Sequence, residues 1–114
     1  MKIIGAAFLV VVSASLFSGC SSAVGCDFRE VKDGLNNGPE PRCQERTGLQ
    51  ATTFGPSCAA LSAKVVDDGC PRDGIVFGCE VSGGGGDVVD WYYAPKTRAD
   101  AEIECGNEKI LEAP

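Results

Sequence analysis

Seven cysteines and no histidine in a chain of 114 residues constrain the fold more than any other feature. A chain this short buries only a modest fraction of its surface, so its apolar core needs help from covalent staples. The cysteines stand at Cys26, Cys43, Cys58, Cys70, Cys79 and Cys105, with Cys20 ahead of them. The six later ones are separated by 17, 15, 12, 9 and 26 residues. No Cys-x-x-Cys pair occurs, so neither a zinc pattern nor a thioredoxin-like redox motif fits. An even set of six reads as three disulfides formed in an oxidising compartment. Six cysteines permit 15 connectivities, and the sequence does not choose among them.

The odd cysteine lies in a segment of different character. Lys2 is followed by an apolar run from Ile3 to Phe17, interrupted only by small residues. That run suits the apolar region of a signal peptide and is shorter than the roughly 20 residues of a spanning helix. It ends in Leu16-Phe17-Ser18-Gly19-Cys20, which resembles the lipobox of bacterial lipoprotein precursors. Phe17 stands where that family usually has Leu, Val or Ile. The resemblance implies a signal peptide over residues 1–19, removed before Cys20, and a membrane anchor built from lipid (diacylglycerol and palmitate-type chains) on Cys20. Ser21 in the following position, rather than Asp, implies sorting to the outer membrane of the cell envelope. Two other readings stay open. Ser21-Ser22-Ala23 also fits ordinary signal peptidase, which would release a soluble secreted protein after Ala23, and the segment can remain as an uncleaved anchor.

Charge narrows the partners. The formal net charge is −6, and loss of Lys2 with the leader makes the 95-residue mature chain more acidic still. Its basic residues are scattered. Nucleic acid is therefore not expected as a partner, because phosphate binding needs a clustered basic face. Anionic lipid headgroups are disfavoured on the same ground, which leaves the membrane to a covalent anchor.

The mature chain reads as a lipid anchor and irregular tether over 20–42, then a small cysteine-rich domain over 43–114. Asn36-Asn37-Gly38-Pro39-Glu40-Pro41 is a run of turn formers. Short strands are expected at Cys43–Thr47 and Lys64–Val66, with a helix starting at Pro56 between them. A hairpin is expected from Ile75–Val81 and Val88–Tyr93, joined by a glycine-rich turn. Thr97 and Asp100 form a capping pattern ahead of a helix that Gly106 stops, and Lys109–Leu111 is a last strand. The fold class is α+β: a small disulfide-rich domain around an antiparallel β-hairpin with one or two short helices. Cys58 followed by Lys64-Val65-Val66 is echoed by Cys105 followed by Lys109-Ile110-Leu111, as in two diverged helix-then-strand units flanking the hairpin.

No catalytic set is legible. A nucleophile needs a base, and the serines lie in no recognised elbow or Ser-x-x-Lys spacing. Asp67-Asp68, Asp87-Asp90 and Glu102-Glu104 read as turn and surface charges, and no metal ligand set, calcium loop or cofactor site follows from them. Gly83–Gly86 lacks the Lys and the helix of a phosphate loop and reads as a mobile hairpin tip. Trp91-Tyr92-Tyr93 is the remaining candidate for binding, since strand aromatics often form contact faces for protein or carbohydrate. Alternation places Val89, Trp91 and Tyr93 in the core beside Ile75, Phe77 and Val81, and Tyr92 outward with Asp90.

From Cys70-Pro71 through Cys79 and Trp91-Tyr92-Tyr93 to Cys105, the chain resembles small cysteine-rich bacterial envelope lipoproteins of uncharacterised function. That likeness spans roughly residues 43–106 and implies no active site. The expected function is a non-catalytic envelope lipoprotein that binds or displays something at the surface. The alternatives are a secreted inhibitor or effector, engaging its partner through Ser82–Asp87, and an enzyme of unrecognised type.

Overall fold

A computed structural model of the chain describes residues 23–31 and 39–114. Six strands, β1 Ala23–Asp27, β2 Arg42–Thr47, β3 Lys64–Asp67, β4 Ile75–Gly83, β5 Gly86–Tyr93 and β6 Lys109–Glu112, form one antiparallel sheet in the order β3-β1-β2-β5-β4-β6. Two short helices, α1 Phe54–Ala60 and α2 Ala101–Cys105, pack on it. The domain is thus α+β and disulfide-rich. The three bonds are Cys26–Cys58, Cys43–Cys70 and Cys79–Cys105. Cys20 and the rest of the leader lie outside the described residues.

The segment read as an irregular tether over 20–42 contributes β1, an interior strand paired with β2 on one side and β3 on the other. Its five residues carry too little alternation to stand out, because Gly25 occupies one inward position. That glycine is needed there: a Cβ would lie 3.0 Å from the backbone nitrogen of Cys70. Helix α1 begins at Phe54 rather than Pro56, so Pro56 sits in the first turn, where backbone N–H groups have no intrahelical acceptor. Ahead of α2, Thr97 and Asp100 form a full capping box. The backbone hydrogen bond from Thr97 holds the Asp100 carboxyl below its ordinary range. Gly106, at φ 59°, ends the helix.

The echo in the sequence is larger than two helix-strand units. Val24-Gly25-Cys26-Asp27 in β1 corresponds to Phe77-Gly78-Cys79-Glu80 in β4, and Lys64-Val65-Val66-Asp67 in β3 to Lys109-Ile110-Leu111-Glu112 in β6. The registers agree step for step. Cys26 faces Val65 and Gln44; Cys79 faces Ile110 and Asp90. Each half is β-β-α-β, with a disulfide from its first strand to its helix. The halves meet at β2 and β5, where Gln44 pairs with Asp90 at the pseudo-two-fold centre. The β4–β5 hairpin therefore belongs to the second half, and the middle of the sheet is the β2–β5 ladder.

Paired residues on neighbouring strands share a face. One face carries Asp27, Cys43, Glu45, Val89, Trp91, Tyr93 and Ile75, and the segment around Cys70 covers it. The other carries Cys26, Phe77 and Cys79 beneath the helices. Sequence alternation put Phe77 and Val81 beside Trp91. A register shift between Ile75 and Phe77 reverses that, so Phe77 faces Tyr92 and Val81 faces Val88 on the helix side, where Val81 stays 48% exposed.

Candidate functional site: the cleft at Tyr92

Helices α1 and α2 cover the two ends of the same sheet face and leave its middle uncovered by either. Alternation in β2 sends Arg42, Gln44 and Arg46 into that gap, and β5 sends Val88, Asp90 and Tyr92. The row is cross-linked. Arg42 Nη1 donates to Asp90 Oδ1 at 2.9 Å, and Gln44 Nε2 donates to the same oxygen at 2.9 Å. Arg46 Nε donates to Gln44 Oε1 at 2.9 Å. Arg42 also pairs with Glu40, and its guanidinium lies 4.3 Å from the Phe28 ring centre. Arg46 lies similarly over Phe54, at 4.2 Å.

At one end of this row is a cavity of about 240 Å³ lined by Glu40, Pro41, Arg42, Tyr92, Lys96 and Glu104. Lys96 and Glu104 form an ion pair across its wall. Tyr92 stacks on Phe77, with ring centres 4.9 Å apart. Burial, then the carboxylates of Asp90 and Glu104, push the Tyr92 phenol up to about 12. It is therefore a neutral hydroxyl at physiological pH, able to donate and accept hydrogen bonds. A shallower depression lined by Arg29, Pro39, Glu40, Pro41, Ala94 and Pro95 adjoins the cavity through Glu40 and Pro41. Charges in the cavity are mutually neutralised, so its chemistry is stacking, hydrogen bonding and salt-bridge exchange. Among the described residues no three His, Cys, Asp or Glu side chains cluster as a metal site would require.

The run Trp91-Tyr92-Tyr93 divides between the two faces, as alternation along β5 leads one to expect. Trp91 and Tyr93, 8% and 3% exposed, lie on the opposite face. The Tyr93 hydroxyl donates to the Pro71 carbonyl at 2.7 Å. Arg72 lies over the Trp91 ring and is held by the buried Glu45, whose Oε1 also accepts from the Cys70 backbone at 2.8 Å. Arg29 chelates Asp27 with two bonds and stacks on Tyr93 at 3.8 Å. These contacts close that face. Tyr92, expected to stand outward, is half-buried, because its ring covers Phe77.

Sequence reading missed Glu40, Arg42, Lys96 and Glu104. The polar alternation Arg42-x-Gln44-x-Arg46 was a usable signal, since it marks a strand with one hydrophilic face. The glycine tip is docked: the Gly85 carbonyl accepts from Leu49 N at 2.8 Å and Gln50 N at 3.3 Å. A scan of protein-family models, a search of curated proteins and a search of solved structures each return no match to this chain.

Proposed function

We propose that the chain is a cell-envelope lipoprotein, cut before Cys20, anchored by lipid on that cysteine and binding a protein or carbohydrate partner at the Tyr92 cleft without transforming it. One observation carries the reading. The six cysteines from Cys26 to Cys105 are consumed by one another in three disulfides, so none is left to pair with Cys20. Cys20 is also the cysteine that stands in the lipobox-like Leu16-Phe17-Ser18-Gly19-Cys20. Three disulfides favour an oxidising compartment outside the cytoplasm, and Ser21 favours the outer membrane over the inner one. Cleavage after Ala23 would strip the first residue from β1 and its pairing with Thr47, which weighs against the secreted alternative.

The test is metabolic palmitate labelling of the native chain and of Cys20→Ala in a bacterial host. The native chain takes up label and fractionates with membranes, whereas Cys20→Ala takes up none and accumulates as precursor. Undiminished labelling of Cys20→Ala, or soluble export of an unlabelled native chain, contradicts the reading.

A further inference from the structure

We infer that the end of the sheet where β1 begins is the surface apposed to the lipid bilayer, which holds the Tyr92 cleft at the opposite pole, facing the aqueous compartment. This rests on the lipid-anchor reading of Cys20. Three chain steps separate Cys20 from Ala23, and a fully extended chain covers about 11 Å in that distance. The anchor therefore has almost no slack. Whatever shares a pole with Ala23 is held near the headgroups.

Strand register says what that is. Ala23 faces Thr47, the last residue of β2, and Val24 faces Asp67, the last residue of β3. Arg46 faces Val88 near the start of β5, beside the β4–β5 turn at Gly84-Gly85. The turn after β2 is bonded to this tip through Leu49 and Gln50. The pole thus comprises 47–50, 67–69 and 83–87. Leu49 projects from it 74% exposed, a large apolar side chain that belongs to none of the three core clusters. Asp67, Asp68 and Asp87 are also there, so attraction to anionic lipid does not hold the pole in place. The acyl chains supply the binding free energy, and the short tether supplies the orientation.

The cleft lies at the other end of the same strands. From Thr47 to Arg42, β2 rises about 17 Å. Arg42 faces Tyr92, and Glu40, Pro41 and Lys96 lie beyond the strand ends. A partner therefore reaches the cleft from solution rather than from the lipid headgroups.

The experiment uses isotope-labelled acylated protein purified from membranes, placed in phosphatidylcholine nanodiscs that carry a gadolinium-chelating lipid. Amide signals of Leu49, Asp68 and Gly84 should be lost to paramagnetic broadening, while those of Glu40, Tyr92 and Lys96 persist. An acylated, disc-bound chain with the reverse gradient, with uniform broadening, or with losses centred on the exposed Ile103 of α2 overturns the inference alone. A chain without an acyl group that fails to bind the discs removes the anchor reading and the inference with it.

Discussion

Gly78 and Trp91 face each other across the β4–β5 ladder, and the indole fills the space a side chain on Gly78 would need: a Cβ there would lie 2.6 Å from Trp91 Cε3. The equivalent glycine of the first half, Gly25, gives the same room to the Cys70 segment. In each half a Gly-Cys dipeptide therefore does two jobs. The glycine admits material on one face, and the cysteine reaches the helix on the other.

That geometry predicts that Gly78→Ala destabilises the domain by about 1–3 kcal/mol through overpacking. Trp91→Ala should cost about 3–5 kcal/mol, the range for emptying a buried aromatic site. The two changes touch the same space, so the double variant should lose less than the sum. Chemical denaturation of disulfide-intact protein measures all three, and strict additivity would show that the ring and the glycine do not compete for space.

Tyr92 separates stability from binding. Its ring covers Phe77, so Tyr92→Ala should cost about 1–3 kcal/mol, where an outward side chain would have cost almost nothing. Tyr92→Phe keeps the ring and should leave the denaturation midpoint nearly unchanged. Loss of the hydroxyl should weaken partner binding at the cleft. A Tyr92→Ala variant as stable as the native chain would contradict the stacked arrangement.

Both tyrosines should titrate late. Burial pushes the phenols of Tyr92 and Tyr93 up to about 12, against an ordinary 10.0. A raised folded-state value means that the folded form favours the protonated phenol. This contribution to stability is complete below pH 10 and is lost as pH rises toward about 12. Near-ultraviolet phenolate absorbance should show no ionisation at pH 10 in the folded protein. Two tyrosines titrating there with the fold intact would contradict the burial of both rings.

The disulfides enclose sequence separations of 32, 27 and 26 residues. By loop-closure entropy each stabilises the fold by about 3–4 kcal/mol. Replacing both Cys79 and Cys105 with Ala should lower stability by roughly that amount, read by denaturant titration. Proteolysis without reduction should release peptides linked as Cys26–Cys58, Cys43–Cys70 and Cys79–Cys105, and any other pairing would contradict the sheet order.

Much of the second half was legible because its signals are local. Alternation from Phe77 to Val81, the capping pair Thr97 and Asp100, and Gly106 each act within a few residues. In the first half β2, α1 and β3 were legible as well, and β1 was not. That strand is five residues long, lacks a side chain at Gly25, and gains its pairing from β2 and β3 far along the chain. The cleft was hidden for a related reason. Arg42 meets Tyr92 only through the β2–β5 register, and Glu104 arrives through the packing of α2 on β4 and its ion pair with Lys96. The split of Trp91 from Phe77 depends on a single register shift at Val76, which no periodicity rule registers.

Intact mass spectrometry of the protein purified from bacterial membranes reads both the anchor and the staples in one spectrum. The spectrum should show a chain that begins at Cys20, carries acylglyceryl mass on its first residue, and lacks the six thiol hydrogens of Cys26, Cys43, Cys58, Cys70, Cys79 and Cys105. A chain that begins at Val24, one that retains the leader, or one with free thiols among those six would contradict a lipid-anchored, disulfide-stapled protein.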